Sequence, residues 1–245
     1  MTLLAFGLLV VAGFFAGLVG FVTGLASLVS YPALLAAGLS PVAANVTNTV
    51  ALVAAGVGAT TNASSEIAKD GRQLIRVGIV SAVGGLVGAI VLLTAPAGSF
   101  EAVVPFLVAF AAIALLLQPR LRNLAGTRKF PTLYPVALFF VAVYGGYFGA
   151  GAGVIFLALA LICTSDSIWR ASILKSFLLG IANLVAAIFF AFSGDVNWLA
   201  ALALAIGAFV GGYSGPPVVK VIPPNFLRLA VAFLGLGLAA WLQFA

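Results

Sequence analysis

The sequence predicts an all-α integral membrane protein of two homologous four-segment halves, arranged as inverted repeats, each half beginning with a glycine-broken helical hairpin. Three observations carry this. Hydrophobic residues make up 64% of the chain and charged residues 7%, with a mean hydropathy of +1.29, which leaves too little polar surface to cover a water-soluble globule. Apolar segments fall at residues 2–37, 41–61, 74–96, 101–118, 133–163, 168–193, 197–219 and 225–244, with short polar connections between them. A glycine cluster followed by a polar motif also occurs once in each half.

The first segment, 2–37, has no basic start and runs far past the core of a secretory signal, so it is expected to be retained in the membrane. Both it and segment 133–163 are too long for one crossing of a core about 30 Å thick. Both also carry clustered glycines, each costing a helix about 1 kcal/mol relative to alanine. Each long segment therefore reads as two shorter helices meeting at a break. The glycines named for that role are Gly20, Gly24, Gly149, Gly151 and Gly153. Close helix packing is the competing explanation for glycine in membrane helices.

The other segments each match a single crossing. The connections at 62–73, 119–131 and 215–225 hold most of the Lys and Arg residues and are too short for a soluble domain. One polytopic domain over 1–245 is expected, with repeat 1 at about 1–118, a basic linker at 119–132 and repeat 2 at about 133–245. The net charge of +6 marks topology rather than a nucleic-acid partner. If the two long segments fold back as hairpins, all eleven Lys and Arg fall on or toward one face, and Glu101 and Asp195 on the other. If each crosses once, the basic residues split between the faces. Positive charge gathers on the cytoplasmic side, which favours the inverted arrangement with both termini outside.

The halves correspond in detail. Gly17, Gly20 and Gly24 match Gly146, Gly149 and Gly153; Ala44, Asn45, Asn48 and Thr49 match Ala171, Ser172, Lys175 and Ser176. Spacing at i, i+3 and i+4 puts each polar set on one helix face. Polar faces on equivalent helices of two repeats converge where secondary transporters bind substrate. The substrate-site candidates read from this pattern are Asn45, Asn48, Thr49, Ser172, Lys175, Ser176 and the deeper Asn183. Interhelical hydrogen bonding is the plainer role for such residues, and snorkelling is the plainer role for Lys175. Lys175 is the one cation well inside a segment, and a fixed positive charge among amide, hydroxyl and helix N-terminal donors selects a small anion. Arg170 is read as a loop anchor, and Tyr144 and Tyr147 as packing residues.

The chain has no histidine, no carboxylate pair at helical spacing and no Gly-x-Ser-x-Gly, so enzymatic chemistry is not expected. No cofactor or metal is implied. The single Cys163 excludes an intramolecular disulfide.

The glycine hairpin, the run Ala44-Asn45-Val46-Thr47-Asn48-Thr49, the stretch Tyr144–Gly151, Ala171-Ser172-Ile173-Leu174-Lys175-Ser176 and Gly194-Asp195-Val196-Asn197-Trp198 together resemble the sulfite exporter TauE/SafE family of membrane permeases. The resemblance covers nearly the whole chain and rests on the order of these short motifs. It implies a multi-pass inner-membrane transporter for sulfite, a sulfonate such as sulfoacetate or another small sulfur-containing anion. It adds Thr47 to the candidates and supports Asn45, Asn48, Lys175 and Ser176. The chain departs from the family in having Val22-Thr23-Gly24 where three glycines are common, which predicts a milder first break. It also has Ser176 where asparagine is common. An anion channel with the same site is the alternative function, and a non-transporting assembly subunit a more distant one. The lipid bilayer and a small anion are the expected partners, and a homo-oligomer is left open.

Overall fold

In the computed structural model of the chain, residues 1–67, 71–96, 98–123, 132–192, 195–218 and 224–244 are described. The expectations resting on Lys69, Asp70, the linker side chains at 121–131, Gly194 and Lys220 lie outside these residues. Every regular element among them is helical: α1 (Leu3–Thr23), α2 (Ser27–Ala36), α3 (Pro41–Asn62), the single turn α4 (Ser64–Ile67), α5 (Gly71–Thr94), α6 (Ser99–Asn123), α7 (Leu133–Tyr147), α8 (Ala152–Cys163), α9 (Ile168–Ala191), α10 (Trp198–Val218) and α11 (Pro224–Phe244). Helices α1, α3, α5, α9 and α10 are each long and apolar enough to cross a membrane. Leu3, Phe140, Phe192 and Phe233 are among many large apolar side chains left on the outer surface, as lipid contact requires. The protein is a multi-pass membrane protein.

Both long apolar segments are broken. Helix α1 ends at Gly24, whose left-handed φ of 87° turns its N–H back onto the Gly20 carbonyl at 2.9 Å. Leu25 and Ala26 then lead into the short helix α2. In the second half α7 ends at Phe148, and the chain turns through Gly149 and Gly151, with φ of 78° and 81°, before α8 starts. The first turn thus uses one left-handed glycine and the second uses two, in line with a milder first break. Gly20 and Gly153 do not break a helix, contrary to the sequence reading. They lie inside α1 and α8, where absence of a Cβ lets other atoms approach: a Cβ on Gly20 would meet that of Ala26 at 2.8 Å, and one on Gly153 would meet the Gly24 Cα at 2.5 Å. The glycine-rich run from Tyr144 likewise stays helical through Gly145 and Gly146.

Starts and stops follow local chemistry. Thr2, Ser40 and Ser167 are N-caps, their hydroxyls accepting from the amides of Ala5, Ala43 and Arg170, and Pro41 opens α3 where no N–H is needed. Arg170 is a loop anchor: its guanidinium lies 3.0 Å from Asp166, and 3.9 Å from Glu66 after the end of α3.

Packing between the halves is reciprocal. Helix α1 lies on α10 with backbone contact at Gly13, Gly17, Gly207 and Gly211, while α7 lies on α5 at Gly84, Gly88 and Gly146. The opening helix of each half thus packs on the third segment of the other. Helices α3 and α9 cross at the centre, where a Cβ on Gly56 would come within 2.9 Å of the Gly180 Cα. Their directions are opposed. The Thr47 hydroxyl, near the start of α3, accepts from the Asn197 amide beyond the end of α9 at 3.0 Å, and Glu66, beyond the end of α3, reaches Arg170 in the first turn of α9.

Candidate functional site

The tips of the two hairpins meet back to back, Gly24 against Gly153, and beside this contact lies a cleft of about 680 Å³ including its mouth. Its wall is drawn from α1, the starts of α2 and α8, and the facing sides of α3 and α9. Of the polar residues expected from the sequence, Asn48, Thr49, Lys175, Ser176 and Asn183 line it, and so do Gly20, Gly24, Gly149 and Gly153. Asn45, Thr47, Ser172 and Gly151 are not on its wall. Gly151 packs on Ala111 of α6, Thr47 holds the Asn197 amide, and Ser172 is buried.

Lys175 is 2% exposed and is the one buried charged residue among the described residues. Its ammonium donates to the backbone carbonyls of Gly20 at 2.8 Å and Phe21 at 2.6 Å, and stands 5.6 Å from the centre of the Phe21 ring. These carbonyls lie in the last turn of a helix that stops inside the protein, where the helix dipole places partial negative charge. A cation is the natural cap there. In this arrangement Lys175 is committed to α1 and does not stand as a free charge in the cleft.

Asn45 makes the matching contact in the other direction. From α3 its Nδ2 donates to the Tyr147 carbonyl at the end of α7, at 2.8 Å. The second segment of each half therefore caps the broken helix of the opposite half, once with an ammonium and once with a neutral amide. The two caps are one turn out of register: the sequence counterpart of Lys175 is Asn48. Asn48 bonds within its own half, its Nδ2 donating to the Ser27 hydroxyl at 3.1 Å and its Oδ1 accepting from Ser30 at 2.5 Å.

With the Gly20, Phe21 and Tyr147 carbonyls engaged, the two helix N-termini add positive partial charge to the cleft. Helices α2 and α8 start at its wall, with Ala26 and Ser27 on one side and Ala152 and Gly153 on the other. Neither has a side-chain cap. The preceding turns use the amides of Leu28, Val29, Ser30, Ala152, Val154 and Ile155, and leave those of Ser27 and Gly153 without a backbone acceptor among the described residues. Two positive helix ends, each with one such amide, beside a lysine and an amide at Asn183, make a place suited to an anion. Thr49 and Ser176 contribute less than expected, because each hydroxyl donates to a carbonyl four residues back, of Asn45 and Ser172, at 3.0 Å.

Sequence reasoning passed over Ser27 and Ser30. Both are buried on α2 and fix Asn48, and their spacing of three after the Gly24 break was the available signal. The role of Tyr144 was also missed: its hydroxyl donates to the Ala150 carbonyl at 2.5 Å and braces the second turn.

A family model described as "Sulfite exporter TauE/SafE" matches residues 9–242. A "Probable membrane transporter protein ORF9" from Sinorhizobium sp is 27% identical over 241 residues, covering 94% of this chain and 90% of that protein. The "Probable membrane transporter protein YfcA" of Escherichia coli K12 is 26% identical over 246 residues, covering 98% and 90%. A "Probable membrane transporter protein" of Haemophilus influenzae is 22% identical over 230 residues, covering 93% and 90%. No solved structure matches the chain.

Proposed function

The chain belongs to the sulfite exporter TauE/SafE family of membrane transporters, and from that premise we propose that it is a secondary transporter carrying a small sulfur-containing anion through the cleft between its two halves. The observation that carries the anion assignment is the polarity of the cleft. Carbonyls at the ends of both broken helices are engaged, by Lys175 and Asn45, while the N-termini of α2 and α8 stand at its wall. Sulfite and a sulfonate present a compact oxyanion that amides and an ammonium recognise in the same way. The substrate class itself comes from the family.

The halves act as inverted repeats. The opposed directions of α3 and α9 and the reciprocal packing of α1 on α10 and α7 on α5 support this. Inversion also gathers the basic connections on one face, which the positive-inside rule makes cytoplasmic in a bacterial inner membrane. Single cysteines in the 62–73 and 216–224 loops are expected to react with an impermeant reagent from the same side. Reaction from opposite sides would require a parallel repeat.

Proteoliposomes test the activity. Uptake of sulfite, thiosulfate, sulfate, sulfoacetate and taurine should single out a sulfur oxyanion or sulfonate, saturate with concentration and show counterflow. Flux linear in substrate without counterflow would identify a channel, and no flux of any of the five would remove the anion assignment.

A further inference from the structure

Lys175 is the buried group whose bonding and placement are at odds. It lines the cleft that suits an anion, yet its donors go to the end of α1. We propose that Lys175 is a displaceable latch: with the cleft empty it clamps the last turn of α1, and an anion bound between the α2 and α8 N-termini draws the ammonium off and frees the first hairpin to move. This rests on the anion reading of the cleft and adds to it a way for occupancy to drive a conformational step.

The chemistry favours the exchange. An ammonium on two neutral carbonyls has a charge–dipole interaction, whereas the same ammonium on an oxyanion has a charge–charge one, with stronger hydrogen bonds. The departure has a structural consequence at one atom. The Gly20 carbonyl keeps the Gly24 amide as a partner, but the Phe21 carbonyl receives no backbone donor from the turn and has Lys175 as its partner. Losing it leaves a buried acceptor unpaired, which the chain relieves by moving the end of α1.

The second hairpin lacks this sensitivity. Its cap is the neutral Asn45 amide, which an anion attracts far less, and Tyr144 bonds the Ala150 carbonyl from within the same hairpin. At the position of Tyr144 the first hairpin has Phe15, which is 49% exposed and has no hydroxyl. Anion binding is therefore expected to loosen α1–α2 and leave α7–α8 as it was, so that the response is confined to one repeat.

Amide hydrogen exchange on the purified full-length protein in detergent, with and without sodium sulfite, reads this directly. Thermal shift with sulfite, thiosulfate, sulfate and sulfoacetate first establishes binding, and the stabilising anion replaces sulfite where it differs. In the wild-type protein the Gly24 amide should exchange about tenfold faster when the anion is bound, while those of Phe148 and Gly149 keep their rates. In Lys175→Met the Gly24 amide should be fast from the start and indifferent to the anion; the wild-type comparison decides the matter even if that variant does not fold. An anion that stabilises the protein but leaves Gly24 exchange unchanged overturns the latch and spares the anion site. Absence of stabilisation by any of the four overturns both.

Discussion

The two hairpins share a topology and differ in what holds them. The first pairs a 21-residue helix with a 10-residue one across a single left-handed glycine; the second pairs 15 residues with 12 across two. The second is braced locally, by Tyr144 on Ala150, and capped by an uncharged amide. The turn of the first has no comparable internal brace, and the end of α1 depends on a charged side chain reaching across from α9. Two copies of one motif have thus become a fixed arm and a conditional one. A cap made from a charge can be competed away by another charge, and a cap made from an amide is nearly blind to it.

Substitutions can break this contrast at several strengths. The largest effect is expected where the hairpins touch. Gly24→Ala would put a Cβ 2.4 Å from the Gly153 carbonyl carbon on a backbone with φ of 87°, at a cost of about 3–5 kcal/mol from strain and overlap together. Gly38→Ala is the control, since it has φ of 91° but open space around it, and should cost about 1–2 kcal/mol. Monodispersity and melting temperature in detergent separate the two, and equal losses would mean that the contact between the tips is unimportant.

Next in size is the contrast between the caps. Lys175→Met should lower anion flux by about 30-fold or more, the equivalent of about 2 kcal/mol for losing one partner of a buried charged contact. Asn45→Leu should cost about 1 kcal/mol of stability, within the range for a membrane hydrogen bond, and leave flux within about threefold. Reconstituted flux and thermal unfolding, measured on both variants, report the two quantities. Matching flux losses would erase the distinction between a conditional and a fixed arm. The smallest effect belongs to the brace. Tyr144→Phe removes the bond to Ala150 for about 0.6 kcal/mol and should raise amide exchange at Phe148 and Gly149 alone. Faster exchange at Gly24 in this variant would show that the hairpins are not independent.

Much of this was legible in the chain. The apolar segment lengths, the two glycine clusters and the polar motif repeated at i, i+3 and i+4 anticipated the helices, the two breaks and the helix faces that meet at the cleft. The partners of those side chains were not legible. Lys175 and Asn48 hold equivalent positions, yet one caps a helix of the other half and the other bonds two serines of its own. Asn45, read as a site residue, reaches a carbonyl 102 residues away. Such partners depend on how two halves interlock, and no local spacing encodes that.

The sequence by itself determined the solvent of this protein, its helices and that both long segments break within their glycine clusters, because burial in lipid, helix periodicity and glycine's freedom at positive φ act over a few residues. Tertiary structure decided which helix ends are covered and which stay open. That depends on a lysine and an asparagine arriving from opposite halves at carbonyls left over where a helix stops inside the protein. The anion site proposed for the cleft rests on those two caps being in place.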